Sequence, residues 1–189
     1  MKKMLIVPVI AAAVIGLAGL PLMANAATTD TTIVNVDIAD TLSITSTESE
    51  VTINLTPMDS TQVSSTATET ITGNTNNPGG FKITAKTATT DGSLSTDGTT
   101  AAGPIAKTAN GASLSANSWG AKFAAGSGAA TAGATATGNY IGLTGTDTAI
   151  ANTTSVGDKA FTVTYGASAN TAVPAGTYKT TVTYTIANN

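Results

Sequence analysis

The chain contains no cysteine, no histidine and no arginine. Each absence removes a class of chemistry. Without Cys there is no disulfide, no thiolate zinc or iron–sulfur site and no thiol nucleophile. Without His there is no Ser-His-Asp relay and no imidazole titrating near neutral pH. Without Arg there is no planar fork to hold a phosphate. Aromatic residues make up 4% of the chain, with a single Trp, and charged residues 10%. Glu occurs only at positions 48, 50 and 69. Thr is what the chain has in excess, 39 of 189 residues, and its β-branched side chain suits a pleated strand. All eight basic residues are Lys, against eleven acidic ones, and the net charge is −3. Nucleic acid is therefore not an expected partner. Composition alone points to a non-enzymatic, all-β, extracellular protein with no cofactor.

Lys2 and Lys3 precede a mainly apolar run from Met4 to Met23, which is followed by Ala24-Asn25-Ala26. A basic start, an apolar stretch and a small-x-small site define a secretory signal peptide, here with cleavage between Ala26 and Ala27. The run is also about long enough to cross a bilayer. Pro21 and the Ala-x-Ala site favour cleavage over anchoring, so no membrane span is expected in the mature chain. No Cys follows the site, which excludes lipid attachment there, and no twin Arg precedes it. Residues 1–26 thus read as a signal-peptide helix and 27–189 as one domain. Loss of Lys2 and Lys3 takes the net charge from −3 to −5.

In the mature part, Val34, Val36, Ile38, Leu42 and Ile44 occupy even positions with polar residues between them, the period-2 signature of a half-buried strand. Asp40 interrupts that face and marks a bulge or a break. Val51, Ile53 and Leu55 repeat the alternation up to Pro57. The Thr-rich run 64–72 and the alternating Phe81, Ile83 and Ala85 flank the turn signal NTNNPGG, as neighbouring strands would. Two Asp-Gly pairs, Asp91-Gly92 and Asp97-Gly98, predict tight turns. Trp119 is expected to plug the core. Residues 124–138 carry no large side chain and read as a flexible loop or arm. Short strands are expected around Tyr140 to Leu143 and Phe161 to Tyr165, and the last over Tyr178 to Ile186. Seven or eight short strands without a helical period predict an immunoglobulin-like, two-sheet antiparallel sandwich.

The order TLSIT, TNNPGGF, SWGAKF and PAGTYKTTVTYTI behind a signal peptide resembles secreted surface proteins of Saccharibacteria and related candidate-phylum bacteria. The closing segment, Pro174 to Ile186, is also similar to the end of WxL-type wall-binding domains and of several fimbrial subunits. In the WxL comparison Tyr184-Thr185-Ile186 stands where the Trp-x-Leu tripeptide belongs, and no second Trp motif is present. The resemblance implies a cell-surface location and a structural or adhesive role, with surface or wall components as partners.

Asp91, Asp97, Asp147 and Asp158 lie in turn-forming stretches and offer carboxylates to calcium, although their spacing matches no known loop and turn capping explains them as well. Glu48 and Glu50 are the only close carboxylate pair among the Glu residues, in a stretch that reads as a solvated turn. Lys82, Lys86, Lys159 and Lys179 are the donors available for an isopeptide link, were one of them buried. The alternating stretch from Thr31 to Thr45, with Val34, Val36, Ile38, Leu42 and Ile44, either pairs within its own sheet or exchanges into a neighbouring copy. The expected function is a secreted structural or adhesive subunit, pilus-like or from a surface layer, capable of self-association. The alternative is a monomeric extracellular module for glycan or wall polymer, with Trp119 or Tyr140 exposed as a stacking platform.

Overall fold

In a computed structural model the described residues are 30–126, 130–131 and 139–189. The signal segment, the Ala26–Ala27 junction and residues 127–129 and 132–138 of the expected loop 124–138 lie outside them, while Ala124 and Ala125 of that loop belong to a strand instead. The chain divides into two units, residues 1–37 and 38–189.

Nine strands form in the described residues, β1 (Leu42–Ser46), β2 (Val63–Thr75), β3 (Phe81–Thr87), β4 (Ala106–Lys107), β5 (Ser118–Ala125), β6 (Ala130–Thr131), β7 (Thr148–Asn152), β8 (Gly157–Ala169) and β9 (Val182–Asn188). One sheet has the order β1-β2-β8-β5-β4 and the other β6-β7-β3-β9. All pairings are antiparallel except β4 with β5. The arrangement is all-β and sandwich-like. β8 is its spine, paired along all thirteen residues with β2 and along Ser118–Ala125 with β5.

Cross-strand pairs on the inner face set large side chains beside small ones. Trp119 lies opposite Ala167, Ala121 opposite Tyr165, and Ala67 opposite Tyr165 from the other side. This alternation lets few aromatics fill the space between sheets. Phe81 and Phe161 meet edge to face at 6.4 Å, and Phe81 lies where a side chain on Gly73 would stand. Ile71, Ile83, Ile141, Leu143, Ile150 and Val163 complete the fully buried large apolar side chains among the described residues. Close backbone approach explains Gly92 as well: its φ is +79° and a Cβ there would overlap the Leu143 carbonyl.

Three expectations need correction. β2 and β3 are not neighbours across NTNNPGG; they belong to different sheets, so that turn carries the chain from one layer to the other. Phe81 is therefore free to cross the core and cover Gly73. The first strand covers only Leu42–Ser46, because its ladder with β2 ends at Leu42 opposite Thr75. Beyond that point Asn76 takes over the backbone, accepting from the Thr41 N–H and donating to the Ala39 carbonyl. Val34, Val36 and Ile38 consequently do not enter the core and are 79, 76 and 81% exposed. The strand order also departs from the immunoglobulin pattern, which keeps strands A, B, E and D in one sheet and C, F and G in the other. Of the seven longer strands here, the fifth, β7, lies beside β3, and the sixth, β8, beside β2; the two have exchanged sheets relative to that pattern.

Val51, Ile53 and Leu55 keep their expected alternation of burial and pack against the core without forming a strand. Tyr178, Val182, Tyr184 and Ile186, from the last expected strand, are half-buried at the edge of the core.

Candidate functional site

Two features stand apart from a fully closed sandwich. The first is the stretch from Asp30 to Asp40, which has no secondary structure and exposes Ile33, Val34, Val36 and Ile38. Leu42 and Ile44, the remaining members of that alternating set, lie in β1, with Leu42 exposed and Ile44 half-buried against the core. The second feature is β9. It pairs with β3 in register from Phe81–Asn188 to Thr87–Val182 and ends its sheet. The inward residues of β3, Phe81, Ile83 and Ala85, are fully buried, whereas Val182, Tyr184 and Ile186 of β9 are only half-buried.

Behind β9 lies a polar cluster that composition did not announce. Glu69, 7% exposed, points from β2 into the core. The Tyr165 hydroxyl donates to its Oε1 at 2.5 Å, leaving Tyr184 to donate to the Tyr165 oxygen at 2.5 Å and to Glu69 Oε1 at 3.2 Å. Ser46 Oγ donates to Oε2. A buried carboxylate is tolerated because its oxygens receive this many donors. Burial pushes both phenols above their ordinary range; the next cause is the bond to Glu69 for Tyr165 and the neighbouring Tyr165 for Tyr184. The cluster ties both sheets together, since β2 and β8 belong to one and β9 to the other. Only parity with Ala67 and Ile71 could have flagged Glu69, and the small, polar residues of that strand hide the parity.

The aromatic platform residues are both inside. Trp119 is 4% exposed and its indole N–H donates to the Gly92 carbonyl at 2.7 Å. Tyr140 is 8% exposed, lies where a side chain on Gly166 would stand, and has Lys122 Nζ 4.2 Å from its ring centroid. A shallow depression beside Tyr140 is lined by Gln62, Ser64, Ser65, Thr66, Ser113 and Leu114.

The Asp residues of the turns are occupied locally. Asp91 accepts from Ser93 N–H and Oγ and from the Ala102 N–H. Asp97 accepts from Ser95 Oγ, Thr99 N–H, and Thr100 N–H and Oγ1. These bonds hold both carboxyls below the usual carboxylate range, chiefly the Ser93 N–H for Asp91 and the Thr100 hydroxyl for Asp97. Asp147 forms an ion pair with Lys86 at 3.8 Å, and Asp158 accepts from Asn74. Glu48 and Glu50 are exposed, and none of Lys82, Lys86, Lys159 and Lys179 is buried. Among the described residues no three acidic side chains converge as a metal site, and no helix is long and apolar enough to cross a membrane. No protein-family model, no curated protein and no solved structure matches the chain.

Proposed function

We propose that the chain is a secreted, non-enzymatic structural protein of the cell surface that associates with copies of itself, with adhesion as the accompanying role. The observation that carries this reading is the exposure of Ile33, Val34, Val36 and Ile38 on an all-β fold. Contiguous exposed aliphatics of this kind mark a surface meant to be covered. The lack of Cys, His and Arg supports a role that needs binding surfaces rather than chemistry. The resemblance to secreted surface proteins of candidate-phylum bacteria, and of the last strand to fimbrial and WxL-type ends, points the same way and rests on the motifs alone. Binding of glycan by a monomer is less well supported, because neither Trp119 nor Tyr140 offers an open ring face.

Surface extracts of producing cells, run unheated and heated on a denaturing gel with antibody detection, test the proposal. A ladder of multimers that collapses on heating to a chain lacking residues 1–26 is expected. A single species of monomer mass in the unheated extract would contradict it.

A further inference from the structure

We infer that Thr31–Ile38 of one copy adds as a strand along the free edge of β9 in a second copy, an inference that rests on the self-associating reading above. Both halves of the pairing are visible in the chain. β9 has β3 on one side and ends its sheet on the other, so its outer N–H and C=O groups form no ladder among the described residues. An edge of this kind is a template for strand addition. Its inward side chains, Val182, Tyr184 and Ile186, remain half-buried where those of β3 are sealed. Nor does the Val51–Met58 stretch close a ladder, since none of its backbone groups bonds to a described residue.

The donor has the matching pattern. Val34, Val36 and Ile38 share one parity, and Ile33, Asn35 and Asp37 the other, so one face of an added strand would be aliphatic and the other polar apart from Ile33. Eight residues at about 3.4 Å each reach along the whole of the seven-residue β9. The segment runs into Ala39–Thr41, which Asn76 holds by its bonds to the Thr41 N–H and the Ala39 carbonyl. Its aliphatic side chains are 76–84% exposed. The donor carries Asp37, with Asp30 just before it, and Lys179 stands exposed just before β9. A second copy supplies these properties together; a peptide of unrelated origin would need the same alternating pattern.

The absence of cysteine makes the test clean. Full-length exported chains carrying Val36→Cys are mixed with isotope-labelled chains carrying Val182→Cys and treated with a short bismaleimide, with Val34→Cys and Ile38→Cys in parallel to cover the register. The expected product is a heterodimer whose cross-linked peptide joins position 34, 36 or 38 of one isotope to position 182 of the other. Adding Asp at the two remaining aliphatic positions of the donor lowers its yield by more than about tenfold. A doubly substituted chain that cross-links only within itself would mean that the segment closes its own sheet, and would overturn the inference. Multimers that persist without any cross-link to position 182 would overturn it too, placing assembly at another surface while leaving the proposed function standing. A chain that stays monomeric throughout would remove both.

Discussion

At the scale of single residues, Tyr184 and Gly166 show how a sequence poor in large side chains closes its core. The Tyr184 hydroxyl serves both Tyr165 and Glu69, and its ring belongs to the edge strand β9. Tyr184→Phe removes that donor from a buried carboxylate, and a loss of about 1–2 kcal/mol in urea unfolding is expected. The two phenols also set a limit at high pH. Their folded pKa values lie above the unfolded value of about 10, so the folded state keeps its protons where the unfolded state sheds them. Their contribution is fully present below about pH 10 and declines as the pH rises beyond it. Tyr184→Phe should weaken that decline in a pH series of unfolding midpoints, and an unchanged slope would argue against the cluster. Gly166 is needed because the Tyr140 ring occupies the place of its Cβ, with ring and hydroxyl atoms at 2.5–2.7 Å. Gly166→Ala should cost about 1–3 kcal/mol through overpacking. Trp119, the only Trp, should emit at short wavelength and remain unquenched by added sugars, as its burial and its bond to Gly92 require.

At the scale of elements, periodicity made some strands legible and left others hidden. The alternation of Phe161, Val163 and Tyr165 was visible in β8, as was that of Val182, Tyr184 and Ile186 in β9. β2 was only half legible, because the inner face from Ala67 to Thr75 holds Ala, Glu, Ile, Gly and Thr, residues whose place depends on Phe81 and Tyr184 arriving from the opposite sheet. Local pattern carries no word of that. The same holds for the partition of β2 and β3, since a turn signal does not say whether it closes a hairpin or crosses layers. The segment from Thr31 to Thr45 shows the opposite failure: the pattern is strand-like throughout, but Asn76 and Asn77 end the ladder at Leu42. The candidate surface was legible as a pattern in Val34, Val36 and Ile38, whereas Glu69 and the open side of β9 required the fold. The turns at Asp91 and Asp97 follow local chemistry and carry their own pH dependence. Both carboxyls are held below their unfolded values, so their support is present above about pH 4 and is lost as pH falls below it. Protection of the Thr99, Thr100 and Ala102 amides relative to an unstructured chain should therefore fall below about pH 4, while chelators leave it unchanged at neutral pH because internal donors already fill these oxygens. Loss of protection on adding a chelator would point to a bound cation instead.

At the scale of the whole molecule, the buried side chains of the sandwich coexist with an apolar segment that remains exposed. Val34, Val36 and Ile38 each stand to gain about 1.5–3 kcal/mol on full burial, which the proposed association would supply. Stability and assembly should accordingly separate: substitutions in this segment leave the unfolding midpoint unchanged and abolish association, whereas those at Glu69 or Gly166 lower the midpoint first. The most direct test of self-association is sedimentation of the chain from Ala27 onward over a range of concentrations beside a Val34→Asp, Val36→Asp, Ile38→Asp variant. Multimers that grow with concentration in the natural sequence, and a monomer of equal thermal stability in the variant, are the predicted result; a natural chain that sediments as a monomer at every concentration would contradict it.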